Sequence, residues 1–300
     1  MLNLRRLQIL AALEAEGTMT ATAQALFMTT SSVSQQVSLL EKETGVTLTV
    51  RSGRRVRLTP AALALVHHAN QITAAIEVAE SSMKRFRTDF KGTVKVSAFS
   101  SFSSAILPSA LVALSERYPE LDVIVCDLEP IQSIMELRAG RIDIAVIDDL
   151  YPVPVAGMVQ TVLGEDELVL CLPPSYKDLP LGPMQISRFR RANWILDAHQ
   201  SAFASFVTSL CRRDGFEPKV VGNFSDIGVT LAMVEAGHGI AVLSTMSVMR
   251  NPSKIVYRLL EPRASRRVIL MHRTTTQDSP LLITVVAELK ERVRRRSSIA

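Results

Sequence analysis

The chain has 300 residues, a formal net charge of +5 and 47% hydrophobic residues. This length exceeds that of one small domain, and the composition is that of a folded globular protein rather than a disordered chain. The mild basic excess favours a polyanionic partner only weakly by itself. Three widely spaced cysteines suit neither a zinc knuckle nor a disulfide framework, and Cys211 has a candidate redox role because Arg212 and Arg213 follow it.

The opening stretch, MLNLRRLQILAALEAEG, predicts an amphipathic helix rather than an export signal. Leucines recur every three residues from Leu4 to Leu13, acidic residues follow, and a small-residue cleavage pattern is absent. The most apolar later stretch, 227–249, is interrupted by Glu235 and His238. We therefore expect a cytoplasmic protein with no membrane partner.

Two further helices are predicted close together after the first helix, which should run from about 3 to 16 and end at Gly17. The stretch TMTATAQALFM has Thr20 as its expected N-cap, and a turn near 27–30 leads into a helix over about 30–44 that ends at Gly45. Two short helices joined by so tight a turn indicate a helix-turn-helix.

The helix over about 30–44 has a surface suited to DNA. Val33, Val37 and Leu40 form an apolar stripe, whereas the opposite face carries hydroxyls, an amide and one lysine. Such groups match the mixed donors and acceptors of base edges in the major groove. The predicted base contacts are Ser31, Ser34, Gln35 and Ser38, with Thr30 and Lys42 on phosphates near the helix ends.

A basic hairpin is predicted next, because VTLTVRSGRRVRLTP changes to a two-residue period with SG at the turn. Its arginines fall within seven residues that contain no acid: Arg51, Arg54, Arg55 and Arg57. We expect this hairpin, the wing, to bind the phosphate backbone or to enter the minor groove. A helix-turn-helix followed by such a hairpin is a winged helix.

A long helix should begin at Thr59-Pro60 and continue to about 88. Its apolar residues follow an unbroken heptad pattern: Leu65, Ala69, Ile72, Ile76, Ala79, Met83 and Phe86. The 3.5-residue spacing favours a dimerisation helix, and a core helix of one globular domain is the alternative. From Thr93 onward strands alternate with helices, which predicts an α/β architecture.

The stretch LRRLQILAALEAEGTMTATAQALFMTTSSVSQQVSLLEKETGVTLTVRSGRRVRLTP, together with the long helix and the α/β remainder, closely resembles the LysR-type transcriptional regulators. The resemblance covers essentially the whole chain. Family members often have proline where Ser31 stands and arginine at Gln35, which changes phosphate or base contacts. The usual TPAG is TPAA here, a departure of little consequence.

The resemblance implies an α+β multidomain chain. A winged helix-turn-helix DNA-binding domain (1–58) and a linker helix (59–91) precede a periplasmic-binding-protein-like α/β effector domain (92–300). Subdomain I would comprise about 92–162 and 266–300, and subdomain II about 163–265. It also implies a homodimer or homotetramer on double-stranded promoter DNA, contact with RNA polymerase, and a small-molecule effector between the subdomains. No cofactor, metal or catalytic residue is expected.

The sequence indicates an effector cleft independently, because FSSFSSAILP leaves a strand and opens a helix whose free N–H groups could bind an anion. Ser101 matches the family position that commonly hydrogen-bonds an effector, and Phe102 is the expected apolar wall. Other expected lining residues follow predicted strands, where ligands of open α/β sheets bind. The candidates are Ser100, Ser101, Phe102, Ser103, Glu129, Pro130, Asp148, His199, Ser201, Ser225 and Asp226.

Several acidic candidates beside an anion-binding turn favour a zwitterion such as an amino acid, with a simple carboxylate as the other expected class. Three different functions were weighed against a regulator. An enzyme lacks support because a nucleotide glycine loop, a nucleophile elbow and paired metal-binding histidines are absent. A solute-binding protein would need an export signal and no basic wing. An architectural DNA protein would leave the α/β part unexplained.

Overall fold

The computed structural model describes residues 2–52, 55–84, 91–150, 156–198, 201–248 and 254–297. The chain divides into two compact units, one built mainly on residues 1–89 and the other on most of the remainder. Helices and one hairpin make up the first unit, whereas strands alternate with helices in the second. Both architectures were predicted from the sequence.

The N-terminal unit is a three-helix cluster followed by a hairpin and a long helix. Its elements are α1 (Leu4–Glu16), α2 (Met19–Ala25), α3 (Thr30–Thr44), β1 (Thr49–Ser52), β2 (Arg55–Leu58) and α4 (Pro60–Lys84). Glycines in left-handed backbone, Gly17 and Gly45, end α1 and α3 as predicted. The predicted N-cap Thr20 is wrong, because Thr18 accepts from the Ala21 N–H and α2 begins earlier.

The core of the N-terminal unit extends into α4. Leu7 and Leu10 of α1 and Leu40 of α3 pack in one hydrophobic cluster with Ala62, Val66 and Ala69 of α4. Ala69 is therefore buried in its own subunit, and Leu65 packs against the same cluster. The prediction that Ala69 belongs to a dimer seam is wrong, because α1 already covers the first turns of α4. Leu65 is half-buried, and its place in the seam stays a prediction.

The C-terminal unit contains ten strands and seven α-helices among the described residues. The strands up to the middle of the chain are β3 (Gly92–Ala98), β4 (Leu121–Asp127), β5 (Ile144–Asp148) and β6 (Met158–Leu172). The later strands are β7 (Met184–Gln185), β8 (Asn193–Leu196), β9 (Lys219–Asn223), β10 (Ala241–Ser244), β11 (Val256–Glu261) and β12 (Ser265–Arg273). The helices are α5 (Ser100–Ala105), α6 (Leu107–Arg117), α7 (Pro130–Arg138), α8 (Ala202–Arg213), α9 (Ile227–Glu235), α10 (Thr245–Val248) and α11 (Pro280–Ser297).

Two long strands run through the middle of this unit. In the main sheet the strand order is β4-β3-β5-β12-β6-β11-β7, and β10 also pairs with β6. Residues 158–167 of β6 pair antiparallel with β12, whereas residues 168–172 pair with β10 and β11. The β12 register shifts at Val268/Ile269, opposite Gly164 and Val162. The two strands thus connect two groups of packed elements.

Separate hydrophobic cores define these two groups, which we call subdomains I and II. The first core lies among β3, β5, α5, α6 and α11, with Val96, Phe102 and Leu270 fully buried. The second lies among β6, β8 and α8, with Trp194 and Leu170 fully buried. In parallel sheets the loops after the strands converge at one edge, and the loops after β3, β4 and β8 do so here.

Candidate nucleic-acid interface and ligand cleft

The exposed side of α3 is polar and carries mainly hydroxyls. Val33, Val37 and Leu40 are buried against the core, so α3 presents its opposite side to solvent. All six side chains predicted to contact DNA on this helix are exposed: Thr30, Ser31, Ser34, Gln35, Ser38 and Lys42. The Thr29 hydroxyl caps α3 by accepting from the Ser32 N–H, and it lies 3.0 Å from the Ser31 hydroxyl.

An acidic side chain that the sequence analysis missed fixes the wing to α3. One carboxylate oxygen of Glu41 accepts hydrogen bonds from the backbone N–H groups of Leu48 and Thr49 at 2.8 and 3.0 Å. The Thr49 hydroxyl donates to the same oxygen at 3.2 Å. Because Glu41 belongs to α3 and Thr49 begins β1, these bonds set the position of the hairpin beside the exposed helix face.

The predicted wing is an antiparallel hairpin in which Ser52 pairs with Arg55 and Thr49 pairs with Leu58. Arg51 and Arg55 lie on its strands, and Arg57 is exposed. Arg54 lies outside the described residues. Arg57 therefore places a positive charge on the hairpin that Glu41 holds next to α3.

The C-terminal unit contains a cavity of about 70 Å³ between subdomains I and II. Its lining includes six residues predicted from the sequence: Ser100, Ser101, Glu129, Pro130, Asp148 and Ser225. Eleven other lining residues were not predicted, and they include Phe99, Asp197, Phe203, Phe224, Ser244 and Arg266. Ser100 and Glu129 come from loops of subdomain I, whereas Asp197 and Ser225 come from loops of subdomain II, so the cavity is a cleft between them.

Arg266, at the start of β12, is the centre of a buried polar network. Its Nη1 donates to Asp148 Oδ2 at 3.0 Å, and its Nε and Nη2 donate to Asp166 Oδ2 at 3.2 and 3.0 Å. Nη2 also donates to the hydroxyls of Ser101 at 2.6 Å and Ser244 at 3.3 Å. The guanidinium carbon lies 4.4 Å from the centre of the Phe99 ring.

Asp166 is the most enclosed member of this network, with a side chain that is 0% exposed. Its second oxygen accepts from the Thr245 hydroxyl and the Met246 N–H, both at 3.0 Å. Every oxygen of this buried carboxylate thus has a donor. Nothing in the local sequence distinguished it, because GEDEL reads as a solvated acidic run and Arg266 lies 100 residues away.

Several predicted cleft residues have other roles. Phe102 is fully buried in the core of subdomain I and does not line the cavity, so its assignment as the apolar wall is wrong. The Ser103 hydroxyl donates to the Ala98 carbonyl within its own turn. Ser201 and Asp226 are the N-caps of α8 and α9 and accept from backbone N–H groups. Phe99 and Phe203 line the cavity instead.

His199 lies outside the described residues.

The placement of Phe102 follows from helix geometry: Ser101 faces the cleft, so the next residue turns about 100° away and enters the core.

The carboxylates of the cleft affect one another. Partial burial raises the pKa of Glu129, and the nearby charges of Asp197, Asp148 and Asp127 raise it further against the opposing charge of Arg266. Burial also raises the pKa of Asp148, although Arg266 acts in the opposite direction. Burial is the largest cause of both shifts, so the cleft disfavours the ionised form of these two carboxylates.

Cys171 and Cys211 are buried and do not provide a reactive thiolate. Burial raises the pKa of Cys211 to about 12, and Asp214 and Glu217 act in the same direction. The expectation that Arg212 and Arg213 lower this pKa is wrong, because Arg212 forms an ion pair with Glu217 at 2.6 Å. Burial likewise raises the pKa of Cys171. A protonated, buried thiol is a poor nucleophile, which argues against a redox role for Cys211.

None of the helices in the described part of the chain combines the length and the apolar character needed to cross a membrane. Within the same residues, no group of three or more histidine, cysteine or acidic side chains is arranged to hold a metal ion.

Comparisons with known proteins agree with the division of the chain into two units. Residues 4–63 match the bacterial regulatory helix-turn-helix protein, lysR family, and residues 87–294 match the LysR substrate binding domain. A probable cat1 operon transcriptional activator from Acinetobacter lwoffii is 26% identical over 295 residues, covering 96% of this chain and 95% of that protein.

Solved structures share the fold across the full length. A full-length OxyR variant from Pseudomonas aeruginosa has a TM-score of 0.71 at 19% identity, covering 98% of this chain and 95% of that one. Full-length CbnR in complex with its target DNA has a TM-score of 0.55 at 22% identity, covering 97% and 100% of the two chains.

A winged helix-turn-helix and an α/β substrate-binding domain together define a DNA-binding transcriptional regulator. Both family matches point to one family, and together they span nearly the whole sequence. The chain belongs to the LysR family of transcriptional regulators.

Proposed function

We propose that this chain is a homo-oligomeric regulator that reads a specific promoter sequence with α3 and changes its DNA binding when a small molecule occupies the cleft. The observation that carries the proposal is the exposed face of α3, where hydroxyls and one amide stand on a helix anchored by a buried apolar stripe. Such a face is suited to base edges, because each group can satisfy donors and acceptors alike.

In this proposal Ser31, Ser34, Gln35 and Ser38 contact bases, and Thr30 and Lys42 contact phosphates. Arg51, Arg54, Arg55 and Arg57 of the wing bind the adjacent backbone or the minor groove. The three hydrogen bonds to Glu41 support this arrangement, since they hold the hairpin beside α3. The solved complex of CbnR with its target DNA is a relevant precedent from a structure of the same fold.

Self-association is proposed to use the part of α4 that its own core leaves exposed. Ile72 and Ile76 are 40% and 37% exposed, and Met83 is 62% exposed at the heptad spacing. Ala79, on the same stripe, is exposed as well. A second copy of α4 would bury this stripe in a homodimer, and pairs of dimers would give a homotetramer. Phe86 lies outside the described residues.

The cleft is the proposed effector site because it collects polar and charged side chains from both subdomains around one cavity. An amino acid fits its carboxylates better than a plain carboxylate does, since Arg266 is already paired with two aspartates. The regulator would act in the cytoplasm and contact RNA polymerase at its promoters. Catalysis forms no part of the proposal, and neither does a cofactor.

The test is DNA footprinting on the region flanking the protein's own gene, with and without a panel of amino acids and small carboxylates. A protected site that shortens or shifts with one compound is the expected result. Binding that specific competitor DNA fails to displace would contradict sequence-specific regulation. Protection that no compound alters would leave promoter recognition standing and remove the effector from the proposal.

Two variants separate base reading from phosphate binding. Gln35→Ala should reduce discrimination between the protected site and unrelated DNA by about tenfold, since a bidentate base contact contributes about 1–3 kcal/mol. Arg57→Ala should weaken binding to both DNAs and reduce the slope of log affinity against log salt by about 1. Fluorescence anisotropy at several salt concentrations measures both quantities, and an equal loss on both DNAs for Gln35→Ala would exclude base reading by that residue.

A further inference from the structure

The charge around the cleft is unbalanced. Glu129, Asp148 and Asp197 line the cavity, and Arg266 is the single cationic side chain among the described lining residues. Asp166 adds a fourth carboxylate directly behind Arg266. Asp148 and Asp166 are buried against the guanidinium, whereas Asp197 is half-buried and Glu129 is exposed, so negative charges outnumber the positive charge at this cavity.

Arg266 has little capacity left for an anionic ligand. Its Nε and Nη2 are engaged by Asp166, Ser101 and Ser244, and Nη1 donates to Asp148. Its planar group also lies over Phe99, with Phe203 at 5.3 Å. A ligand carboxylate could form a strong pair with Arg266 only by displacing Asp148 or Asp166, which would leave that carboxylate buried without a counter-charge.

Glu129 and Asp197 are the carboxylates that remain available. Neither has an ion pair or a side-chain carboxylate hydrogen bond within the described part of the chain. Glu129 follows β4 in subdomain I, and Asp197 follows β8 in subdomain II, so the two acids belong to opposite sides of the cleft. They are close enough for the charge of Asp197 to raise the pKa of Glu129. Their repulsion opposes close approach of the subdomains.

We propose that the cleft recognises a small organic cation, an ammonium or guanidinium group, held between Glu129 and Asp197. This inference rests on the proposed effector role of the cleft and names the chemical class of the effector. The bound cation removes the repulsion between the two acids and replaces it with attraction across the cleft. Binding therefore favours approach of subdomain I toward subdomain II.

The size and the remaining walls of the cavity suit such a ligand. A volume of about 70 Å³ corresponds to roughly five water molecules, which is the scale of a ligand with about five or six non-hydrogen atoms. Phe224 lines the same cavity and offers an aromatic face to a cation or to its alkyl part. The polar positions and the apolar wall together favour an alkylammonium over an inorganic ion.

The experiment compares three probes of similar size and different charge on the full-length protein. Isothermal titration calorimetry at constant ionic strength measures the affinity of n-butylammonium, 1-butanol and butyrate. We expect n-butylammonium to bind at least tenfold more tightly than either of the others. In the double variant Glu129→Gln/Asp197→Asn this preference should be lost, with at least a tenfold fall in affinity for n-butylammonium.

Asp122→Asn is the matched control, because Asp122 is an exposed acid at the opposite end of β4 from Glu129. It should leave the affinity for n-butylammonium unchanged. Tighter binding of butyrate, absence of n-butylammonium binding at 50 mM (roughly the limit for a single exposed charge pair), or equal binding by the double variant would each overturn the proposal.

Footprinting distinguishes failure of this inference from failure of the proposed function. If butyrate binds and alters the footprint, the effector role of the cleft stands and the cation is excluded. If n-butylammonium binds as expected but the footprint on the target DNA does not respond, the ligand class stands and the regulatory role of this cleft fails.

Discussion

At the scale of single residues, the buried charges of the cleft are all paired with one another. Arg266 is 7% exposed at its side chain, and its partners Asp148 and Asp166 are 5% and 0% exposed. Burying such groups is tolerable only when each has a counter-charge and hydrogen-bond partners. The network therefore fixes the position of Arg266 more than it stabilises the fold. Removing one member should nevertheless lower the free energy of unfolding, because it leaves a buried charge without its partner.

Asp166→Asn should lower the free energy of unfolding of the C-terminal unit by about 3 kcal/mol, because the Arg266 guanidinium would keep one carboxylate partner while still buried. Urea-induced unfolding at pH 7 measures the change. Asp149→Asn is the control, since the Asp149 pair with Arg267 lies near the surface, and it should have little effect. Equal effects of the two substitutions would contradict the role assigned to the buried network.

Glu129 gives stability a predictable pH dependence. Its pKa is raised in the folded state, chiefly by partial burial and then by neighbouring carboxylates. The folded protein therefore holds this proton more tightly than the unfolded chain does, and stability falls as pH rises from the unfolded pKa, 4.5, through the folded pKa. Ionised Glu129 thus opposes folding at neutral pH.

Glu129→Gln should accordingly raise the midpoint of urea unfolding relative to the parent chain at pH 7 to 8, with a difference that shrinks toward pH 5. The amide carries no charge at either pH, so it removes the repulsion from Asp197 and Asp148. Asp122→Asn serves as a control with no expected pH-dependent difference. A gain that is the same at every pH would rule out ionisation of Glu129 as its cause.

At the scale of elements, the helix-turn-helix was readable from sequence because its signals are local. Thr29 and Gly45 bound α3 through a hydroxyl cap and a left-handed glycine, and the apolar spacing within α3 fixes its buried face. The bounds of strands are harder to predict, as the first half of β6 shows: Met158–Val162 alternates weakly and adjoins residues without a clear strand pattern. Arg266 and Asp166 were missed for a different reason: nothing local shows that two charged residues so far apart in sequence become buried together.

The long helix α4 divides into two parts with different partners. Ala62, Val66 and Ala69 pack in the core of the N-terminal unit. Beyond them Ile72 and Ile76 continue the heptad spacing but remain partly exposed. Heptad spacing alone could not reveal this division, because a residue at an a or d position has the same spacing whether it faces its own domain or a second copy.

Ile76→Glu should weaken self-association at least tenfold, because a charge at the centre of a helix-helix seam would be buried without a partner. Sedimentation velocity over a concentration series measures the change. Leu63→Glu is the control on the same helix, since Leu63 is 51% exposed and lies off the heptad stripe. If both variants remain as associated as the parent chain, the exposed stripe of α4 is not the interface.

At the scale of the whole molecule, none of the described hydrophobic clusters contains residues from both units. Leu7, Leu40 and Ala69 belong to clusters of the N-terminal unit, and Leu170 and Leu270 belong to clusters of the C-terminal unit. Each unit thus has its own cooperative packing, as expected for a chain of this length. Within the C-terminal unit β6 pairs with β12 in its first part and with β10 and β11 in its second part, so that unit should behave as a single cooperative body.

Differential scanning calorimetry should therefore show two transitions that respond to different core substitutions. Leu40→Ala creates a cavity in the N-terminal core, where Leu40 is 0% exposed, and should lower the first unit's stability by about 2–5 kcal/mol while leaving the other transition unchanged. Leu170→Ala, also at a 0% exposed position, should do the reverse. The two leucines are matched in size and burial, so any difference in which transition moves reflects the unit to which each belongs. A single transition whose midpoint temperature falls equally with both substitutions would mean that the two units unfold together. A change at the cleft would then reach the DNA-binding surface through shared stability rather than through a change in geometry.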